Sequence, residues 1–197
     1  MATSSTRPGV VIAAFAISLA IGLTGVLFLV GGFRSNAPVS SIGGPFQLTD
    51  QTGATVTEKS LQGKPTLMFF GFTHCPDICP TSLFEISEIL RAMGPDAGRV
   101  NAYFVTVDPE RDTPAVMKDY LQSFDPHLKG LSGSPEAVAT MIKAYRVYAK
   151  KVPLKDGDYT MDHTAAVYLL DREGRFVVPF NLKQTPQQAA ADLKRYF

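Results

Sequence analysis

An excess of either charge is missing from this chain of 197 residues, which carries 19 Lys and Arg against 18 Asp and Glu. Without a basic surplus, nothing points to nucleic acid as a partner. Proline and glycine, at 14 and 16, are too few for a disordered chain, and internal repeats and low-complexity stretches are lacking. Cysteine is reduced to two residues and histidine to three, so any chemistry that needs a thiol or an imidazole is confined to very few places. The most local absence is of charge itself. From residue 8 to residue 33 there is no Asp, Glu, Lys or Arg.

Within that gap residues 10–30 read VVIAAFAISLAIGLTGVLFLV, an almost wholly apolar run that rises about 32 Å as a helix and matches a hydrocarbon core of about 30 Å. A secretory signal has a shorter apolar region and a small-x-small cleavage site. The best such site here, Ser35-Asn36-Ala37, is followed by Pro38, a poor start for a mature chain. The expectation is therefore a tail over residues 1–9, an uncleaved single transmembrane helix over 10–33, a flexible Ser/Gly/Pro/Asn linker over 34–43 and a folded domain over 44–197. The free amino terminus beside Arg7 orients the anchor with the domain exported, and residues 1–9 lack the Arg-rich amphipathic character of a mitochondrial transit peptide.

The domain reads as alternating strands and helices. Short strands at 46–48 and 54–57 flank the turn Asp50-Gln51-Thr52-Gly53 and predict an N-terminal hairpin. Residues 65–72 and 103–107 are continuous apolar runs of strand length, as in strands covered on both faces. Leu83, Ile86 and Leu90 share one helical face. Thr113-Pro114, Ser134-Pro135 and Thr185-Pro186 each place an N-cap residue before a proline at the first helical position, and Gln188 completes a capping box with Thr185. Val138, Met141, Ile142 and Tyr145 form the buried stripe of the second of these helices, and 165–170 with 176–180 predict a closing hairpin. The order ββ-β-α-β-α-α-ββ-α is that of an α/β fold of the thioredoxin-like class, a mixed sheet flanked by helices.

Both cysteines fall in Phe72-Thr73-His74-Cys75-Pro76-Asp77-Ile78-Cys79-Pro80, between an apolar strand and a helix start. Free N–H groups at that junction favour anions, so a thiol pKa should fall there. A helix beginning at or soon after Cys75 would bring the two sulfurs to one face, able to share a metal or to close a disulfide. A purely structural bridge fits poorly in a Pro-flanked turn at the end of a central strand, where α/β folds place their sites. Two cysteines and a histidine are one ligand short of a structural zinc site but suit low-coordinate Cu(I). His74 adjoins a cysteine and reads as a residue shaping the loop. His127 reads as a surface residue. His163, in Met161-Asp162-His163-Thr164 just before an apolar strand, approaches the cysteine turn in such a topology and is the candidate third ligand.

These residues, together with Val107-Asp108-Pro109-Glu110-Arg111-Asp112-Thr113-Pro114, Tyr145-Arg146-Val147-Tyr148 and Asp162-His163-Thr164, resemble the Sco/SenC family of copper-binding assembly proteins from the anchor to Phe197. The resemblance implies a thioredoxin-like fold, a single N-terminal anchor, and delivery of copper, Cu(I) or Cu(II), to the CuA centre in subunit II of cytochrome c oxidase. By motif match Cys75, Cys79 and His163 are the copper ligands. Asp108 lies near the site, either shaping it or capping the following turn. The implied setting is a bacterial inner (cytoplasmic) membrane with the domain in the periplasm and another copper chaperone as donor. A second role linked to the family is thiol:disulfide reduction of the CuA cysteines, with Cys75 and Cys79 as the redox-active disulfide. The spacing of the pair departs from that of thioredoxin-type oxidoreductases by one residue, and residues 159–170 lack their proline. A peroxidase of the peroxiredoxin type would have a Pro-x-x-Thr turn before its cysteine, and none precedes Cys75.

Overall fold

Strand β3, Thr66–Gly71, is the centre of the architecture, with all six of its residues buried. In a computed structural model that describes residues 17–19, 21–22, 42–155 and 157–197, it pairs in parallel with β4 (Asn101–Thr106), which pairs in parallel with β5 (Leu128–Ser132). On its other side β8 (Val167–Leu170) runs antiparallel to β3, and β9 (Phe176–Pro179) antiparallel to β8. The predicted N-terminal hairpin, β1 (Gln47–Asp50) and β2 (Thr55–Thr57), joins through β1 to β5. The sheet order is β2-β1-β5-β4-β3-β8-β9. This is the mixed sheet of a thioredoxin-like fold.

Its helices are α1 (Ile78–Met93), α2 (Pro114–Leu121), α3 (Pro135–Ala144) and α4 (Pro186–Lys194). Leu83, Ile86 and Leu90 are buried on one face of α1 as their spacing requires, each worth about 1.5–3 kcal/mol of transfer from water. Thr113, Ser134 and Thr185 all accept a backbone N–H of the first turn, and Thr185 with Gln188 forms the capping box. Along β3 the side chains alternate. Phe69 stacks on Phe104 at 6.0 Å, and Phe104 meets Tyr120 of α2 at 5.9 Å. On the opposite face Phe70 packs against Tyr145, the C-cap of α3, at 5.8 Å. Helices thus cover both faces.

Beyond α3 the chain turns sharply. Arg146 takes φ 53°, and Val147 N–H returns to the carbonyl of Ile142, a helix stop that normally uses glycine. The chain then forms a separate antiparallel pair, β6 (Ala149–Pro153) and β7 (Tyr159–His163), with Ala149 opposite His163.

Strand β5 and the β6–β7 pair are absent from the order expected from sequence, and each omission has a physical cause. Strand β5 reads Leu-Lys-Gly-Leu-Ser, and a glycine inside a strand normally weakens it. Here Gly130 is required, because a Cβ would stand 2.8 Å from both Leu121 Cδ1 and Met117 Cε of α2. The β6–β7 pair has no fully buried residue, so it lacks a clear period-2 pattern.

The chain divides after Val39 into two units, and the fold lies within Ser40–Phe197. The expected tail, the anchor over 10–33 and nearly all of the linker over 34–43 lie outside the described residues, save 17–19, 21–22 and 42–43. Among the described residues no helix is long and apolar enough to cross a membrane.

Candidate metal centre

Strand β3 ends at Gly71, and residues 72–77 carry the chain to α1. Cys75 N–H donates to the carbonyl of Phe72 at 3.3 Å, and Cys79 N–H donates to Cys75 Sγ at 3.4 Å. The helix begins only at Ile78, so the sulfurs meet by the curl of the loop rather than by helical spacing. Even so, the free N–H end of α1 supplies a donor to the Cys75 sulfur. Both thiols are free, Cys75 half-buried and Cys79 fully buried.

Gly71 is what permits this approach. A Cβ on it would lie 2.8 Å from Cys79 Sγ and 2.8 Å from Phe104 Cε2. The same closeness explains a correction to the expected thiol chemistry. Burial pushes the Cys79 thiol strongly upward, with the Cys75 side chain next in effect and the Asp112 charge adding to it. Desolvation outweighs the helix terminus at Cys79, so burial favours the thiol over the thiolate at this sulfur.

His163, the last residue of β7, supplies the third group. Its Nδ1 lies 3.0 Å from the carbonyl of Thr164, which can only accept, so Nδ1 carries the proton and Nε2 is left as the donor atom. Nε2 stands 3.6 Å from Cys79 Sγ, across 84 residues of sequence. The rings of Phe69 and Phe72 meet the imidazole edge-on at 6.4 and 5.7 Å and fix its plane. The ligand atoms of Cys75, Cys79 and His163 all lie within 4.8 Å of one another. Three ligands at about 2.0–2.3 Å from one ion stand roughly 4 Å apart, so a small inward adjustment closes this set on a metal. Two thiolates and an imidazole form a soft, low-coordinate site, which fits Cu(I) better than the harder divalent ions.

The remaining sequence candidates fall elsewhere. His74 is exposed, its ring beside Thr73 Oγ1, and the half-exposed His127 pairs with Asp125 at 2.8 Å. Asp108 is buried but outside the three-residue cluster. Its Oδ1 accepts from Tyr159 OH at 2.9 Å, and Oδ2 pairs with Arg111. Its carbonyl also accepts from Arg111 and Asp112 N–H, so it shapes its surroundings and closes its own turn as well. Sequence reading missed Asp112 as a structural group. Its buried carboxylate accepts from Thr73 N–H at 3.0 Å, Thr73 Oγ1 at 2.5 Å and Thr106 Oγ1 at 2.7 Å, two residues from Cys75. Its place in Asp108-Pro-Glu-Arg-Asp112 was the available signal, but a capping role for that motif reads equally well from sequence.

Comparison with known proteins finds relatives in one family. The SCO1/SenC family model matches residues 34–197. The copper-bound structure of Bradyrhizobium japonicum ScoI is 76% identical, with a TM-score of 0.78, covering 79% of this chain and 99% of that one. The mitochondrial protein SCO1 homolog 1 of Arabidopsis thaliana is 44% identical over 143 residues, 72% of this chain and 43% of the relative, so the chain spans less than half of that protein. A SCO2-like protein of Rickettsia felis is 36% identical over 191 residues, covering 90% of this chain and 93% of the relative.

Proposed function

The chain belongs to the SCO1/SenC family, and from that premise we propose that it is a copper-binding assembly protein whose cargo is held by Cys75, Cys79 and His163. The observation that carries this reading is the convergence of those three ligand atoms within 4.8 Å at the end of the central strand. Copper is bound as Cu(I) or Cu(II) and passed to the CuA centre in subunit II of cytochrome c oxidase, with another copper chaperone as the donor. Low coordination suits a carrier, because an incoming partner thiolate can join a three-ligand ion before any original ligand leaves. Residues 10–33 anchor the protein in the bacterial inner membrane, 34–43 tether it, and 44–197 work in the periplasm. Mass spectrometry of the membrane-extracted protein should give an uncleaved chain; a mature N-terminus near Ala37 would overturn the anchor.

The free and adjacent thiols favour a second reading, reduction of the oxidase's CuA cysteines. One thiolate would attack the partner disulfide, and the mixed disulfide would resolve to a Cys75–Cys79 bond and two partner thiols, two electrons passing from this protein to the partner. That exchange needs no imidazole ligand, so His163 discriminates. In cells lacking the wild-type protein, His163→Ala should fail to restore cytochrome c oxidase activity at low external copper, and added copper should restore part of it. Full activity with His163→Ala and none with Cys75→Ser would replace the copper reading with the reductase one.

A further inference from the structure

The two ligand-bearing elements are both gripped by one short loop, residues 108–112. At its far end Asp112 holds Thr73 through both N–H and hydroxyl, fixing the segment that leads into Cys75. Its residues Asp108, Glu110 and Arg111 grip the β6–β7 hairpin, which forms a sheet of its own and carries His163 as the last residue of β7. Arg111 Nη1 donates to the carbonyl of Tyr159 at 3.0 Å and pairs with Asp158 at 3.3 Å. The guanidinium stacks over the Tyr159 ring at 3.8 Å, and Tyr159 OH donates to Asp108. Lys151 of β6 covers the other contact to that ring at 4.1 Å and pairs with Glu110 at 2.8 Å. Arg111 also lies 5.9 Å from the centre of the Phe72 ring, which in turn meets the imidazole of His163.

We propose that residues 108–112 act as a bracket that sets the distance between the cysteine loop and His163, with Arg111 and Tyr159 as positioning residues for the third ligand. The inference rests on the copper reading above, since it concerns where His163 stands relative to the two sulfurs. Its cost is visible in the structure. Arg111 Nη2 is buried without a protein hydrogen-bond partner, a cost of about 1–3 kcal/mol set against the contacts that its other nitrogens make. The hairpin has apolar attachment as well, because Ala149 and Met161 pack against the core. Loss of the guanidinium should therefore loosen the hairpin without unfolding the domain.

The test is a double-mutant cycle on the full chain, with reduced protein titrated with Cu(I) against a competing chelator. Arg111→Met should weaken Cu(I) binding by about 10- to 100-fold, the usual range for groups that orient a metal ligand. X-ray absorption of its Cu(I) form should show two sulfurs retained and the nitrogen ligand lost or lengthened. Tyr159→Phe keeps the ring and removes only the hydroxyl, and should give a smaller loss in the same direction. Because Arg111 acts through His163, Arg111→Met added to His163→Ala should cost nothing further. Additive losses, or a weakened Arg111→Met protein that keeps the full nitrogen signal, would overturn the bracket and leave Arg111 a residue of general stability. If His163→Ala alone binds Cu(I) as the wild type does, the ligand assignment fails first, and the bracket with it.

Discussion

Cys79→Ser should lose Cu(I) binding by on the order of a thousandfold or more, while the reduced wild-type chain takes up one Cu(I). A site whose binding free energy is of the size found for structural zinc, about 10–16 kcal/mol, gives up several kcal/mol when one of three ligands goes. Serine keeps the volume within one atom type but offers a hard oxygen that Cu(I) does not favour. The loss is greatest at this position because Cys79 stands between the other two ligands, touching Cys75 through its N–H and His163 through its thiol. Binding should also depend on pH. Burial holds the Cys79 proton on well past neutrality, so the metal must displace it. Apparent affinity therefore rises with pH, by about tenfold per unit for this proton alone, and falls as pH is lowered. Chelator competition at pH 6, 7 and 8 reads the slope, and a flat profile would mean that binding displaces no proton from Cys79. Protein oxidised to the Cys75–Cys79 disulfide and titrated without reductant should take up no Cu(I), since neither sulfur then has a thiolate to offer.

Gly71→Ala is expected to damage fold and site together. The added methyl would have to share space with Cys79 Sγ and Phe104 Cε2 at 2.8 Å, and Phe69 Cε1 at 3.2 Å. None of these is the free end of a flexible side chain, because Phe69 and Phe104 are stacked on each other in the middle of the sheet. Overpacking of this kind costs about 1–3 kcal/mol, and for a domain of this size each kcal/mol lowers Tm by roughly 2–4 °C. The relief available is movement of Cys79 away from β3, which also takes its sulfur off the line to His163. Thermal unfolding together with Cu(I) competition should therefore show both a lower Tm and weaker binding. An unchanged Tm with unchanged affinity would mean that the first turn of α1 does not pack on Gly71 as described.

Much of this protein was legible from the chain alone, wherever the signal is local. Thr113, Ser134 and Thr185 announce their helices because an N-cap needs only its own first turn, and Leu83, Ile86 and Leu90 mark a buried face because a helix repeats every 3.6 residues. The apolar runs of β3 and β4 declare central strands because a strand covered on both faces is apolar at successive positions. The chemical identity of the site is local too, since thiol and imidazole donors are available only at two cysteines and three histidines. The tertiary structure decided what depends on neighbours distant in sequence. Strand β5 exists because α2 packs on Gly130, and β6 and β7 exist because they pair with each other, neither of which leaves a hydrophobic period to read. The upward push on Cys79 comes from burial in the folded core, a tertiary effect that overrides the local helix terminus. Above all, the meeting of His163 with sulfurs 84 residues away depends on a hairpin held by Arg111 and Asp108, because a ligand's identity is written in its residue while its distance from the others is set by packing and hydrogen bonds across the whole fold.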